Sequence, residues 1–169
     1  MANAFFNVPV PVNEPVRAYA PGTAEHKNLI DKYKELYNQP QIDIPMYIGG
    51  KEVRTENKRP MAPPHDHQKL LGHYNQGSAV HVEQAIEAAM NAREAWANTP
   101  WEQRAAVFLR AAELLAGPFR DKMNAATMLA QSKNVFQAEI DAACEMIDFF
   151  RFNVQYLTTI YKDQPISSP

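Results

Sequence analysis

The sequence predicts a mainly α-helical chain with four to five helices, a small β-hairpin and an extended N-terminal arm. Three observations support this fold class. Apolar residues recur at helical spacing over most of the second half, prolines crowd the first 21 residues, and a Gly-Gly pair separates two β-prone runs. The predicted organisation is an arm over residues 1–22, a short helix with a hairpin region over 23–77, and a helical region over 78–169.

The N-terminal arm is defined by prolines at positions 9, 11, 15 and 21. Because proline lacks a backbone N–H donor, this stretch cannot form a central strand or a helix. We therefore expect an extended arm that lies on the rest of the protein. The apolar side chains that need a surface to cover are Phe5, Phe6, Val8, Val10 and Val12.

The segment after the arm predicts one helix followed by short strands. Ala24–Asn38 places apolar side chains at helical spacing, with Thr23 as the N-terminal cap and Pro40 as the stop. The Gly-Gly pair at 49–50 can adopt the positive φ angles of a tight turn, so it predicts a β-hairpin. The remaining elements are two hairpin strands, a proline-containing loop and one further strand: Met46–Ile48, Glu52–Thr55, Arg59–Gln68 and Leu70–Asn75.

Beyond residue 78 the chain is predicted to be helical almost to its end. The second of four helices in this region begins at the motif TPWE, residues 99–102. Threonine can cap a helix, proline suits its first position, and glutamate can reach back to the cap. The other three helices are predicted over Val80–Ala97, Phe119–Gln131 and Val135–Tyr161.

Charge and cysteine content exclude several classes of function. The 17 basic and 19 acidic residues are scattered and sum to a net charge of -2, so no basic face for nucleic acid is predicted. The single cysteine excludes an internal disulfide and fits a reducing compartment. No apolar stretch approaches the ~20 residues that span a bilayer, and the first residues resemble neither a secretory nor a mitochondrial signal. We expect a cytoplasmic protein without membrane contact.

Residue types that bind metals, attack substrates or hold phosphates do not form a recognisable site in this sequence. His65 and His67 have the spacing of a metal pair, but no third ligand of the right type is close in sequence, so we expect surface-loop histidines. Cys144 falls in the middle of a helix, where we expect a small buried residue and not a nucleophile. None of the six glycines belongs to a G-x-G-x-x-G or P-loop pattern. No catalytic residue, metal site or cofactor site is therefore predicted for this segment alone.

Three carboxylates on the last helix form the most informative polar pattern. Asp141, Glu145 and Asp148 fall at i, i+4 and i+7, which places them on one helical face. The helix is otherwise apolar on most sides, and a carboxylate in such surroundings needs an ion partner or a solvated cleft. Two interpretations remain open. One is a narrow solvated stripe with Arg151 as its partner; the other is an acidic wall of a substrate pocket that holds an ammonium group.

Long stretches of the sequence resemble one enzyme family. The first is NEPVRAYAPGTAEHKNL in the arm. The second is AIEAAMNAREAWANTPWEQRAAVFLRAAELLAGPFRDKMNAATMLAQSKNVFQAEIDAA, and the third is AEIDAACEMIDFFRFNVQYL, followed shortly by QPISSP. These runs resemble the N-terminal region of delta-1-pyrroline-5-carboxylate dehydrogenases, which belong to the aldehyde dehydrogenase superfamily. The likeness covers almost the whole of the 169 residues.

The resemblance implies a part of an α/β aldehyde dehydrogenase fold, with a Rossmann-like cofactor domain, a catalytic cysteine and an oligomerisation hairpin further along the chain. It implies NAD-dependent oxidation of glutamate γ-semialdehyde, the open form of 1-pyrroline-5-carboxylate, to glutamate in proline breakdown. The implied partners are the small-molecule substrate, the remaining domains of the enzyme and further copies in a homo-oligomer. The location is the mitochondrial matrix if the source is eukaryotic. This segment alone is then expected to be inactive and to bind no cofactor.

One functional residue carries over from the family onto this sequence. A glutamate just before the IDF run contacts the α-amino group of the substrate in the family, and the matching residue is Glu145 in CEMIDFF. Phe149 and Arg151 are expected to be supporting neighbours at most. Two other hypotheses remain: a non-catalytic helical interaction module derived from such an enzyme, and a metal-binding domain built on His65 and His67.

Overall fold

The structure, a computed structural model, describes residues 5–163 and residue 166. Residues 1–4 of the arm and the proline-bounded chain exit, apart from residue 166, lie outside the described residues. Helices make up most of the described chain, which confirms the mainly α fold class. The elements in chain order are α1 (Ala24–Asn38), β1 (Ile42–Ile44), β2 (Met46–Ile48), β3 (Lys51–Val53), β4 (Lys58–Met61), β5 (Gly72–Asn75), α2 (Ala79–Asn98), α3 (Trp101–Ala116), α4 (Arg120–Gln131), α5 (Val135–Ala138), a π-helical segment (Glu139–Cys144) and α6 (Glu145–Lys162).

The arm and α1 follow the prediction. Residues 5–20 have no regular secondary structure, as the prolines require. The hydroxyl of Thr23 caps α1 by accepting a hydrogen bond from the backbone N–H of His26 at 3.4 Å. The helix packs on α4, and Leu29 lies in the small core that they share with Ala125 and Tyr19.

A three-stranded sheet in the order β1-β5-β4 lies beside α1. Strand β1 was not predicted, and β4 corrects the predicted loop over Arg59–Gln68, since Lys58–Met61 pairs antiparallel with β5. Pro60 is compatible with this strand because β4 pairs on one side only within the described residues, and proline is confined to edge strands. Gly72 has a φ of +153°, and a Cβ there would overlap the backbone of Ile42 in the parallel β1 strand.

The predicted hairpin is confirmed as β2 and β3, which pair antiparallel around Gly49 and Gly50. Helix α2 contacts β2, but none of its side chains is buried. Its apolar face is on the surface, with Val82, Ile86 and Met90 59%, 59% and 57% exposed. An apolar face of this kind usually contacts another protein surface.

The start of α3 differs from the prediction. The helix begins at Trp101 after Pro100, and no side chain caps it. The hydroxyl of Thr99 instead donates to the carbonyl of Ala95 at 2.8 Å, at the end of α2. The predicted cap was wrong because α2 runs on to Asn98 and its last turn uses the threonine hydroxyl.

The long last helix contains a π-helical segment that was not predicted. Helix α5 begins after a reciprocal capping box between Asn134 and Gln137 and continues into Glu139–Cys144 before α6 starts. A π turn adds one residue to a helical turn, which rotates the following side chains by roughly 100° relative to a continuous α-helix. Glu139 at the start of the segment is buried, while Glu145 just after it is exposed.

Helix α6 packs on α3 around a second core of Ala112, Leu115 and Ile147. The last helix thus contacts α3 through α6, and it contacts α4 through α5 and the π-helical segment. No helix in the described part is long and apolar enough to cross a membrane.

Candidate functional site

An open groove of about 600 Å³ lies between the N-terminal arm and the last helix. The three carboxylates Asp141, Glu145 and Asp148 all line it, which confirms that they share one face. The groove also has aromatic walls, so it combines apolar surface with a few polar groups, as ligand sites commonly do. Its polar and aromatic lining comprises Asn13, Glu14, Asp141, Glu145, Asp148, Phe149, Phe152, Asn153 and Tyr156.

The arm is fixed to the helices by a buried ion pair between Arg120 of α4 and Glu139 of the π-helical segment. The two side chains are 1% and 0% exposed, and the guanidinium donates to both carboxylate oxygens. Glu139 also accepts from the backbone N–H of Arg17 at 2.9 Å and from the hydroxyl of Tyr19 at 2.9 Å. Asn124 of α4 donates to the same carboxylate at 2.7 Å.

Tyr19 is held in a sparsely populated backbone conformation by this network. Its φ is +49°, in the left-handed region that side-chain-bearing residues seldom adopt. Such a conformation persists when the surroundings determine it strongly, and here the buried hydroxyl bonds both Glu139 and Asn124. Burial, followed by the hydrogen bond to Glu139, raises the pKa of the Tyr19 hydroxyl to about 12. The arm therefore enters the groove region in one defined path.

Opposing effects act on the pKa of Glu139. Burial alone raises it, but the hydrogen bonds from Arg120, Arg17 and Asn124 outweigh burial and lower the pKa to about 2. For Arg120, burial lowers the pKa, and the hydrogen bonds to Glu139 and Glu14 outweigh that effect and raise it. Both groups are thus ionised at neutral pH, which a buried ion pair requires for stability.

Most carboxylates of the groove already have partners. Asp148 accepts from the side chain of Asn13 and from the backbone N–H of Glu14, each at 2.7 Å. Glu14 pairs with Arg120 and, at 2.7 Å, with Arg151. Arg151 thus pairs with the arm and not with the three-carboxylate stripe. Asp141 pairs with Lys133 at 2.8 Å.

Glu145 is the exception among the acidic side chains of the groove. It is exposed at the start of α6, and none of the hydrogen bonds or ion pairs found among residues 5–163 involves its carboxylate. Its neighbours in the groove include Phe149, also exposed, and the buried Cys144. An unpaired carboxylate beside aromatic surface can accept charge-assisted hydrogen bonds from a cationic ligand.

The other candidate residues have structural surroundings. Cys144 is buried, as expected, and burial followed by the charge of Glu139 raises its pKa to about 11, which disfavours the thiolate form. One ring nitrogen of His65 lies 2.7 Å from the Ser132 hydroxyl and the other 3.3 Å from the Tyr33 hydroxyl. Across the described residues, no three His, Cys, Asp or Glu side chains are arranged to hold a metal ion.

The buried network was missed from the sequence. Glu139 and Arg120 lie on different helices, and the arm groups that they bond are 105 or more positions away. The only available signal was a carboxylate next to alanine and isoleucine on a helix that is apolar on most sides. Such a residue must find a partner when buried, although the sequence does not say which one.

The Aldehyde dehydrogenase family model matches residues 52–169. This match covers more than half of the chain, and the chain belongs to the aldehyde dehydrogenase family. The match confirms the superfamily assignment made from the sequence runs of the helical region.

Individual relatives show which members of that family the chain resembles. The chain is 46% identical over 162 residues to a delta-1-pyrroline-5-carboxylate dehydrogenase of Agaricus bisporus, and 43% identical over 162 residues to a probable one of Schizosaccharomyces pombe. Each alignment covers 96% of the chain and 30% of the relative. A crystal structure of the Mycobacterium tuberculosis delta-pyrroline-5-carboxylate dehydrogenase, bound with NAD and cobalamin, superposes with a TM-score of 0.93 at 48% identity. That superposition covers 100% of this chain and 32% of the other.

Proposed function

We propose that these 169 residues form the N-terminal part of an NAD-dependent dehydrogenase that oxidises glutamate γ-semialdehyde to glutamate. The observation that carries the proposal is the likeness to delta-1-pyrroline-5-carboxylate dehydrogenases along 96% of the chain. The chain spans about 30% of the length of these relatives, so the complete activity requires residues beyond this segment. The exposed apolar face of α2 fits a role as the contact surface for those further domains.

Within that enzyme, Glu145 is proposed to bind the α-ammonium group of the substrate. Two features support this role. Its carboxylate lies in a groove with aromatic walls, and the other carboxylates of the groove are engaged by Lys133, Arg151, Arg120 or the arm. A carboxylate without a protein partner can bind a cation without first breaking an ion pair.

The NAD site of the complete enzyme is proposed to lie outside this segment. A dinucleotide site on a βα unit needs a glycine-rich turn that lets the backbone approach the pyrophosphate. None of the six glycines of this chain stands in that pattern, and strands β1–β5 are each only three or four residues long. We therefore assign the NAD site to residues outside this segment and derive no chemical step from the residues described.

The test is a pair of aldehydes that differ only in the amino group. The complete enzyme is assayed for NADH formation with glutamate γ-semialdehyde and with 5-oxopentanoate, which lacks the α-amino group. We define the amino selectivity as the ratio of the two kcat/KM values. Glu145→Gln is expected to lower this ratio about 10- to 100-fold, because a hydrogen bond to a charged group contributes about 1.5–3 kcal/mol.

Asp141→Asn is the matched control. It removes one carboxylate from the same groove, but that carboxylate is already paired with Lys133. It is expected to change the amino selectivity less than about twofold, as for an exposed ion pair.

An enzyme that does not oxidise glutamate γ-semialdehyde contradicts the proposed activity. An active enzyme in which Glu145→Gln and Asp141→Asn behave alike contradicts only the role of Glu145. In either variant the KM for NAD is expected to stay the same.

A further inference from the structure

Glu14 lies where the arm, the buried ion pair and the groove meet. Its backbone N–H donates to Asp148 at 2.7 Å, and its two carboxylate oxygens accept from Arg120 and Arg151. Its side chain is only 12% exposed. Glu14 therefore contacts one groove carboxylate, that of Asp148, and two guanidinium groups, those of Arg120 and Arg151.

The spacing of the charged residues on α6 shows why the ion pair between Arg151 and Glu14 matters. Glu145, Asp148 and Arg151 follow one another at three-residue intervals, so each is the helical neighbour of the next. Arg151 is one-quarter exposed and has Glu14 as its carboxylate partner. Without the charge of Glu14, the nearest acid on its own helix is Asp148. If Arg151 moves toward Asp148, its positive charge comes closer to Glu145, and this charge repels an ammonium group bound there.

Arg120 is not free to respond in the same way. It is buried and pairs with Glu139, and this contact does not depend on Glu14. The loss of the Glu14 charge therefore leaves Arg151, on α6, without its carboxylate partner.

We propose that Glu14 is a positioning residue for substrate recognition: it holds Arg151 on the arm and thereby keeps this positive charge away from Asp148 and Glu145, where the ammonium group of an amino-acid aldehyde binds. This inference rests on the proposed function and deepens it. It makes the N-terminal arm, which is distant in sequence from the last helix, a determinant of selectivity between aldehydes with and without an α-amino group.

The experiment measures the amino selectivity of the complete enzyme with Glu14→Gln, Arg151→Gln and the double variant. Glu14→Gln is expected to lower the selectivity roughly 3- to 10-fold, the effect of one unpaired charge several ångströms from the ligand in a partly solvated site. Glu113→Gln, which removes an exposed carboxylate paired with Arg110, is the control and leaves the selectivity unchanged.

The double variant separates a charge effect from a loss of structure. Since Glu14 acts through Arg151, Glu14→Gln combined with Arg151→Gln is expected to have the selectivity of Arg151→Gln alone. A damaged arm predicts instead that the double variant is less selective than Arg151→Gln, because Glu14→Gln adds a loss of its own. If Glu14→Gln does not fold, the comparison of the double variant with Arg151→Gln still decides the question.

The inference is overturned by an unchanged selectivity in Glu14→Gln, by an equal loss of activity on both aldehydes, or by a double variant less selective than Arg151→Gln. Each of these results leaves the role of Glu145 intact if Glu145→Gln has lowered the selectivity in the same assay. A wild-type enzyme that does not oxidise glutamate γ-semialdehyde contradicts the proposed function itself, and with it this inference.

Discussion

The buried carboxylate of Glu139 is predicted to be the most sensitive single position of the arm attachment. Its two oxygens accept from Arg120, the backbone N–H of Arg17, the Tyr19 hydroxyl and the Asn124 amide. Glu139→Gln keeps the shape of the side chain but removes its charge and places an NH₂ group among these donors. Breaking a buried ion pair costs about 3–5 kcal/mol, and the lower end of that range is expected here because Arg120 keeps Glu14 as a second carboxylate partner.

The assay is equilibrium unfolding in urea, followed by far-ultraviolet circular dichroism. Glu113→Gln is the matched control, since it also removes one carboxylate from an ion pair with an arginine. That pair is exposed, with side chains 66% and 68% accessible, so the expected cost is at most about 0.5 kcal/mol. In a thermal melt, the Glu139→Gln variant is expected to unfold about 10 °C below the wild type. Equal costs for the two variants would refute the reasoning that burial makes the arm attachment stabilising.

Three further predictions test separate features. The pKa of Glu139 is lowered from 4.5 to about 2, so the stabilisation that its carboxylate contributes to the folded state is complete above pH 4.5 and is lost as the pH falls toward 2. Between these two pH values, the melting temperature of the wild type is expected to fall more steeply than that of Glu139→Gln. The thiol of Cys144, with a pKa of about 11, is expected to react with a disulfide reagent at pH 8 at least about 100-fold more slowly in the native than in the urea-unfolded protein. Gly72→Ala is expected to cost at least about 2 kcal/mol in urea unfolding, while Gly50→Ala, in an open turn, costs less.

Features set by neighbouring residues could be predicted from the sequence. Helix α1 begins and ends where Thr23 and Pro40 indicate, because the cap and the stop act within a few residues. The hairpin at residues 46–53 was predicted for the same reason, since its two glycines determine the turn. Helical spacing also predicted that Asp141, Glu145 and Asp148 lie on one side of the helix, and all three line the groove although Asp141 falls in the π-helical segment that was not predicted.

Features that depend on distant partners could not be predicted. Strand β4 contains Pro60 and forms because β5 pairs with it across more than ten residues. The start of α3 depended on where α2 ends, which decided the use of the Thr99 hydroxyl. The pairing of Arg151 with Glu14 spans 137 positions, and no local pattern favours it over Asp148. For that reason the sequence left two interpretations of the acidic face open.

The central claim, that this segment is the N-terminal part of a glutamate γ-semialdehyde dehydrogenase, is tested most directly by a chimera. The corresponding third of the Mycobacterium tuberculosis dehydrogenase, which superposes with a TM-score of 0.93, is replaced by residues 1–169 of this chain. The rate of NADH formation from glutamate γ-semialdehyde is then measured. We expect a rate comparable to that of the parent enzyme and a marked preference over 5-oxopentanoate. A chimera that folds and binds NAD but does not oxidise glutamate γ-semialdehyde would contradict the claim.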